Sequence, residues 1–268
     1  MPTIPLTEAL RKEYENLFNS CNIRTGYMAA VEDIITRVTA NRNRYQTVSE
    51  AQGIPWSFIA VIHNMEGNLN FTKHLHNGDP LSSPTVQVPA GRPKNGKAPF
   101  TWEESAGDAL SMKGLSARTD WSMAGTLYQL ERYNGWGYRL YHQHVLTPYL
   151  WSFSDHYISG KYVADGTWSY TAPSKQCGSA VLLRRMVEKE LFEFYDQPAL
   201  ELNAPPLVVG YSMEKSIDPS VVLRVEELQR WINGFPGIFV KPDGVPGNKT
   251  SEAYMKITGS YLPGDPRG

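Results

Sequence analysis

The sequence predicts a mainly α-helical protein with a small β-hairpin flap and, towards its C-terminal end, a small second helical domain. Apolar residues recur at helical spacing over most of the first 66 residues. The stretch 69–100 breaks this pattern with five prolines and an HNGDP turn, as in an irregular hairpin. The segment 199–212 has the composition of a linker, and helical spacing returns after it.

Three helices are predicted before the flap. The first covers 6–19 and the second covers 28–44, because apolar residues lie three and four positions apart in both. The third runs from about 54 to 66, since Pro55 suits a first helical turn and Gly67 suits the residue after a helix end.

Helices are predicted to resume after the flap. Thr101 and Glu104 are spaced as a capping box, which marks a helix start. Apolar spacing then predicts helices at about 119–133, 139–150 and 179–196. Asp218-Pro219 begins another helix, and a last one is expected near 251–258.

Length and charge limit the domain organisation and the partners. The 268 residues suffice for one ordinary domain and a small one, which we place at 1–200 and 213–268 with a linker at 201–212. A formal net charge of −1, without a long run of one sign, argues against nucleic acid and anionic membrane as partners. A monomer is expected, and Cys21 and Cys177 allow at most one disulfide.

Glu66 ends the apolar helix expected at 54–66. The negative end of the helix dipole disfavours an anion there, and Met65, Leu69 and Phe71 predict partial burial. Both effects raise a carboxyl pKa, which is what a general acid requires at neutral pH. The alternative is an ordinary solvated helix end.

Aromatic residues are frequent in Gly- and Pro-rich stretches, namely 133-YNGWGY-138, 149-YLW-151 and 166-GTWSY-170. Aromatic rings in loops form flat platforms on which sugars stack. The alternative is that these large residues fill the core of a helical domain.

The order of a helix ending in Glu66, a hairpin flap and further helices resembles the lysozyme superfamily, which includes goose-type and phage lysozymes, lytic transglycosylases and related chitinases. The series EGNLNF, HLHNGDPL, VPAGRP and FTWEESA is similar to bacterial and phage peptidoglycan hydrolases. The phrase 131-ERYNGWGYR-139 is similar to the Tyr-Asn-Gly loop that borders the cleft in goose-type lysozymes and lytic transglycosylases. This resemblance covers roughly 50–185 and implies that Glu66 is the general acid beside a saccharide cleft walled by the hairpin.

The segment LQRWINGF…VKPDGVPGNKTSEAY resembles a small helical peptidoglycan-binding domain. The residues that occupy its pattern are Leu228, Gln229, Asp243, Gly244, Gly247, Thr250 and Ala253. After Ala253 the sequence Tyr-Met-Lys departs from that pattern. A helical dimerisation or docking unit is the alternative.

Glycoside cleavage usually employs a second carboxylate. Asp79 in the HNGDP turn is the first candidate, although the turn chemistry of this stretch also explains it. Glu103 and Asp108 are weaker candidates. Without a second carboxylate, the 6-hydroxyl of the sugar can close the reaction, as in lytic transglycosylases.

The candidate substrate-binding residues lie on the Tyr-Asn-Gly loop and the flap: Tyr133, Asn134 and Trp136, then Thr85, Gln87 and Arg92. The resemblance implies that Tyr133 lies near the leaving sugar and that Asn134 contacts a substrate amide. His74 and His76 could ligate a metal from one face of a strand, but no third ligand has suitable spacing. We therefore expect a polar flap surface, with no metal and no cofactor.

These observations predict a muramidase that cleaves the β-1,4 bond between N-acetylmuramic acid and N-acetylglucosamine in peptidoglycan. The alternatives are a lytic transglycosylase or chitinase on the same scaffold, or a non-catalytic wall-binding or virion structural protein. The N-terminal MPTIPLTEALRKEY lacks a basic flank followed by an apolar stretch, so no secretory signal is predicted. Access to the wall is therefore expected by another route, as for a phage endolysin or an effector delivered by a secretion machine.

Overall fold

The computed structural model describes residues 4–164, 166–194, 209–235 and 238–268. These residues are mainly helical, as predicted, and include one two-stranded sheet. The helices are α1 (Glu8–Ser20), α2 (Met28–Ala40), α3 (Arg42–Gln52), α4 (Trp56–Gly67), α5 (Trp102–Met112), α6 (Met123–Asn134), α7 (Gly137–Tyr141), α8 (Pro148–Trp151), α9 (Ser179–Glu188), α10 (Pro219–Ile232) and α11 (Asn248–Thr258), with a short 3-10 turn at Thr25–Tyr27. The antiparallel strands are β1 (Lys161–Ala164) and β2 (Thr167–Ser169).

The helix predicted at 28–44 is in fact two helices, α2 and α3, which meet at Asn41. The backbone of Asn41 leaves the helical region, and its side-chain amide donates to the carbonyl oxygen of Arg37 at 2.9 Å. Asparagine side chains favour such local bonds, which compete with a continuing helix. Helix α3 buries Tyr45 and Val48 against α4 and α5. Apolar spacing alone did not predict this additional layer of helix packing.

Helix α4 is the centre of the larger of two hydrophobic clusters. All of its residues from Trp56 to Asn64 are buried, which is the pattern of a helix enclosed by protein on every side. Helices α3 and α9 both pack against it. The apolar run therefore fixes the position of the helix end that carries Glu66.

The second hydrophobic cluster lies within 209–262 and is centred on α10 and α11. Phe239 from this part of the chain packs against Phe18 of the larger cluster, with ring centroids 5.2 Å apart. The predicted domain boundaries stay predictions. Most of the linker at 201–212 lies outside the described residues. The helix expected at 179–196 is too long, because α9 ends at Glu188 and 189–194 are not helical; 195 and 196 lie outside the described residues.

Gln229 explains much of the wall-binding-like motif in physical terms. Its buried side-chain amide donates to Asp243 Oδ1, to the Val245 carbonyl and to Thr250 Oγ1, at 3.0–3.1 Å. Its oxygen accepts from the Gly244 amide at 3.0 Å. A buried polar group needs such partners, so these motif residues hold the loop between α10 and α11 in place.

The flap at 69–100 contains no β-strand, so the predicted hairpin there is wrong. Its only described strand-like pairing is an isolated bridge between Lys73 and Pro80. Prolines have no backbone N–H to donate, and five of them in this stretch interrupt any ladder. The chain forms its hairpin at β1–β2 instead, where Tyr162 pairs with Trp168.

Side-chain hydrogen bonds attach the flap to α5. The His74 ring, only 1% exposed, contacts Ser105 Oγ at 2.8 Å and the Ser83 carbonyl at 2.9 Å. His76 Nε2 lies 2.8 Å from Asp108 Oδ2. The expected polar surface is therefore wrong for His74, which is a buried part of the attachment.

Gly178 precedes α9 at a close contact between backbones. A Cβ built at this residue would lie 2.2 Å from the Leu150 carbonyl oxygen. We expect Gly178→Ala to lower the free energy of unfolding by about 3 kcal/mol, because backbone must move to admit the methyl group. Gly26→Ala is the matched control, since nothing lies within 4 Å of its Cβ position. Equal urea midpoints for the two variants would contradict this prediction.

Two further observations concern the cysteines and the lengths of the helices. Both cysteines are buried and free. None of the helices in the described ranges has the length and apolar character needed to cross a membrane.

Candidate functional site

Helix α4 ends in a left-handed turn that places Glu66 at the protein surface. Asn68 and Leu69 both have positive φ angles, and they direct the chain away from the helix axis towards the flap. The side-chain amide of Gln176 donates to the carbonyl oxygens of Met65, at 2.7 Å, and Asn64, at 3.2 Å. The bond to Met65 occupies a carbonyl group that the helix end leaves free, whereas the Asn64 carbonyl also accepts from the Asn68 amide.

Glu66 is an exposed residue, and its carboxyl group is desolvated by the protein atoms packed around it. The Tyr149 hydroxyl donates to Glu66 Oε1 at 2.8 Å. Burial raises the pKa of Glu66, while the hydrogen bond from Tyr149 and the charge of Lys113 act in the opposite direction. Burial is the largest of these effects, so Glu66 keeps its proton to a higher pH than an ordinary glutamate does.

The C-terminal ends of three helices contribute residues around this carboxyl group. Glu66 comes from α4, Lys113 follows α5, and Tyr133 lies in the last turn of α6. The Lys113 ammonium group lies 4.4 Å from the centroid of the Tyr133 ring. Burial and the charge of Glu66 raise the pKa of Tyr133. Helix C-termini carry negative partial charge, so their proximity adds to the cost of an anion here.

The structure therefore places Tyr133 within reach of the charge of Glu66, while a contact of Tyr133 with the leaving sugar stays a prediction. Asn134 is the exposed last residue of α6, directly after Tyr133. Trp136 is 5% exposed and packs on Tyr128, with ring centroids 5.1 Å apart. Contacts of Asn134 and Trp136 with a glycan stay predictions.

Asp79 is engaged inside the flap. Its Oδ2 accepts hydrogen bonds from the backbone amides of Val86, at 2.8 Å, and Gln87, at 3.0 Å, and from the Asn77 side chain at 3.1 Å. The amides of Gln87 and Val86, together with Asn77, lower the pKa of Asp79. A low pKa keeps this carboxylate ionised and makes it a weak base. Its catalytic role stays a prediction.

Asp79→Asn is expected to loosen the flap, because a neutral amide oxygen accepts more weakly from the two backbone amides than a carboxylate does. We expect hydrogen exchange at Val86 and Gln87 to become about tenfold faster. Exchange measured by mass spectrometry on flap peptides checks this, with peptides of α4 as the internal control. Unchanged exchange would contradict the anchoring role, and full retained turnover would remove Asp79 from the mechanism.

The other flap candidates also make contacts within the protein. Thr85 is buried, and its Oγ1 accepts from the Arg92 amide at 2.9 Å. The Arg92 guanidinium pairs with Asp108 at 2.8 and 2.9 Å. The Gln87 side chain is exposed, whereas its backbone is held by Asp79 and Asn77. These contacts give the flap a defined shape, and binding of a glycan by Thr85, Gln87 or Arg92 stays a prediction.

The weaker carboxylate candidates have structural partners as well. Glu103 pairs with Arg44, with Nε 2.6 Å from Oε1. Glu104 forms the predicted capping box with Thr101, which confirms that start of α5. Asp108 is shared between His76 and Arg92.

Three site residues were missed by sequence reasoning. In the sequence Tyr149 belongs only to an aromatic stretch, while Lys113 and Gln176 lie in stretches that carry no motif. Tyr149 is separated from Glu66 by 83 positions. Contacts over such a distance leave no periodic signal in one sequence.

No three His, Cys, Asp or Glu side chains of the described ranges lie together in an arrangement that could hold a metal ion. The arrangement around Glu66 offers proton transfer: one carboxyl group with a raised pKa, a phenol donor beside it and a cation nearby.

Comparisons of the chain with protein-family models, with curated proteins and with solved structures found no match. Its function is therefore inferred from the chemistry that Glu66 and its neighbours can perform, together with the motifs quoted above.

Proposed function

We propose that this protein is a lysozyme-like muramidase that cleaves the β-1,4 bond between N-acetylmuramic acid and N-acetylglucosamine, with Glu66 as the general acid. The observation that carries the proposal is a solvent-accessible Glu66 whose pKa is raised by burial and which a Tyr149 hydroxyl holds at 2.8 Å. The motif resemblance over 50–185 supports the choice of a glycan as substrate.

In the proposed reaction, protonated Glu66 donates its proton to the glycosidic oxygen as the bond from that oxygen to the anomeric carbon breaks. The departing sugar leaves with a hydroxyl group, and a sugar cation remains. Burial, and then the charge of Glu66, raise the pKa of Tyr149 well above its ordinary value, so its hydroxyl stays a donor. Tyr149 thus orients the acid before proton transfer and stabilises the carboxylate afterwards.

Two routes can complete the reaction, and they define two candidate enzymes. In hydrolysis, water attacks the sugar cation with help from a second carboxylate, for which Asp79 is the candidate. In transglycosylation, the 6-hydroxyl of the same sugar attacks. Three donors already bind Asp79 Oδ2 within the flap. This observation keeps transglycosylation as the alternative to hydrolysis.

Product analysis tests the proposal and separates the routes. Purified wall glycan is incubated with the wild type and with Glu66→Gln, and the product ends are identified by mass spectrometry. Free reducing muramic ends support hydrolysis, whereas anhydro ends identify a lytic transglycosylase. Equal product from the two proteins would remove Glu66 from the mechanism. Wall binding without any product in the wild type would support the non-catalytic alternative.

We further propose that residues 213–268 help to hold the enzyme on the wall, as a monomer. The network around Gln229 gives this part a defined loop between α10 and α11. Co-sedimentation of the full-length Glu66→Gln variant with purified walls measures binding without digestion. A dimer in light scattering, with no co-sedimentation, would favour the dimerisation alternative.

A further inference from the structure

Lys113 follows α5 and places an unpaired cation over the ring of Tyr133, a residue whose pKa the charge of Glu66 helps to raise. Its side chain is exposed, and its ammonium group lies 4.4 Å from the centroid of the Tyr133 ring. Among the residues that the structure describes, no carboxylate forms an ion pair with it. The ammonium group is therefore available to a ligand.

The backbone and the aromatic ring hold this cation in place. The Lys113 amide bonds to the Ala109 and Leu110 carbonyls at the end of α5, and the Arg132 guanidinium donates to the Lys113 carbonyl at 2.9 Å. The face of the Tyr133 ring attracts the ammonium group and limits its motion. A cation that is already positioned loses less entropy when it binds an anion.

The negative partial charges around Lys113 make its positive charge necessary for binding an acidic ligand. The ends of α4, α5 and α6 present negative partial charge, and Glu66 becomes an anion once its proton has been transferred. A carboxylate on the substrate would be repelled there unless a cation compensated. The field of Lys113 reaches the site, since it acts on the pKa of Glu66.

We propose that Lys113 is a specificity-determining residue, whose ammonium group at the edge of the Glu66 site pairs with a carboxylate of the glycan and so favours acidic over neutral glycans. This inference rests on the proposed function. Muramic acid without a stem peptide carries a free lactyl carboxylate, whereas a glycan built only from N-acetylglucosamine carries none. Lys113 thereby directs the site towards muramic acid and away from chitin.

The test compares two forms of one glycan. Peptide-free wall glycan has free lactyl carboxylates, and amidation with methylamine converts them to neutral amides. We expect the wild type to prefer the acidic form by about tenfold in kcat/KM, as for a charge-assisted hydrogen bond. Lys113→Gln should lose most of this preference, because its kcat/KM should fall further on the acidic glycan than on the amidated one. Lys113→Arg should keep the preference, and Lys12→Gln, on an exposed face of α1, is the matched control.

A pH profile adds a readout that a purely structural role would not move. Lys113 acts to lower the pKa of Glu66, so Lys113→Gln should shift the alkaline limb of activity to higher pH. An unchanged preference in Lys113→Gln, or an equal loss on both glycans, would overturn the inference. If the wild type cleaves neither glycan, or Glu66→Gln cleaves both as well as the wild type, the proposed function itself fails.

Discussion

Glu66→Gln is expected to lower the rate of glycan cleavage by about 10²–10⁴-fold, the usual contribution of a positioned general acid. Glutamine retains an oxygen that can accept from Tyr149 but has no proton to give to the glycosidic oxygen. Release of reducing or anhydro ends, measured at constant substrate, gives the rate. Glu50→Gln is the matched control, because Glu50 is exposed on α3 and its substitution makes the same change from carboxyl group to amide.

The stability of the Glu66 variant separates lost chemistry from lost folding. Because burial raises the folded-state pKa of Glu66, the folded protein binds its proton more tightly than the unfolded chain does. This group therefore stabilises the fold increasingly as pH falls through the raised pKa, and its ionisation opposes folding at higher pH. Glu66→Gln should consequently unfold at the same temperature as the wild type, or at a higher one, at neutral pH. An inactive variant with a lowered Tm would not count as support for catalysis.

Acidification is expected to destabilise the fold through His63, by about 3 kcal/mol between pH 6.5 and pH 4. His63 lies on α4, 1% exposed, and its Nδ1 is 3.0 Å from the Tyr45 hydroxyl. Phe71 and Trp102 pack on its ring, each with centroids 4.5 Å away. Burial lowers the pKa of His63 to about 4, whereas an unfolded chain would protonate it near 6.5. Between these values only the unfolded state binds the proton, so stability is complete above pH 6.5 and is lost as pH falls.

His63→Phe isolates this contribution. Phenylalanine fits an aromatic environment but cannot titrate, so the variant should lose about 3 kcal/mol less than the wild type between pH 6.5 and 4. Urea unfolding at several pH values gives the free energies, and the difference between the proteins cancels the other titrating groups. An identical pH dependence in both proteins would contradict the assignment. The variant also loses the partner of Tyr45, which lowers its stability equally at all pH values.

The parts of the fold that local sequence could predict are those set by local physics. Helix α4 follows from a continuous apolar run, and the start of α5 follows from the Thr101 capping box. The boundary between α2 and α3 depends on one hydrogen bond of Asn41, which apolar spacing does not record. The prediction of strands in the flap was wrong because a turn-rich sequence does not show whether backbone N–H groups are available for pairing between strands.

The candidate site divides in the same way. The raised pKa of Glu66 could be predicted because a helix dipole and apolar neighbours act within a few residues of it. Tyr149 and Gln176 come from segments far along the chain, and only the folded arrangement of α4, α8 and the loop before α9 brings them to it. The prediction for Asp79 rests on its place in a turn, whereas its three hydrogen-bond donors depend on the folded backbone of the flap.

Helix α5 links two features of this molecule mechanically. Ser105 and Asp108 on its first turns hold the flap, and Lys113 caps its last turn. A helix transmits displacement along its axis, so the flap and Lys113 keep one fixed spacing. Insertions in the exposed stretch 95–98, beyond the anchors of the flap, would leave that spacing intact. An insertion within α5 would rotate Lys113 by about 100° per residue relative to the flap, and would uncouple the two.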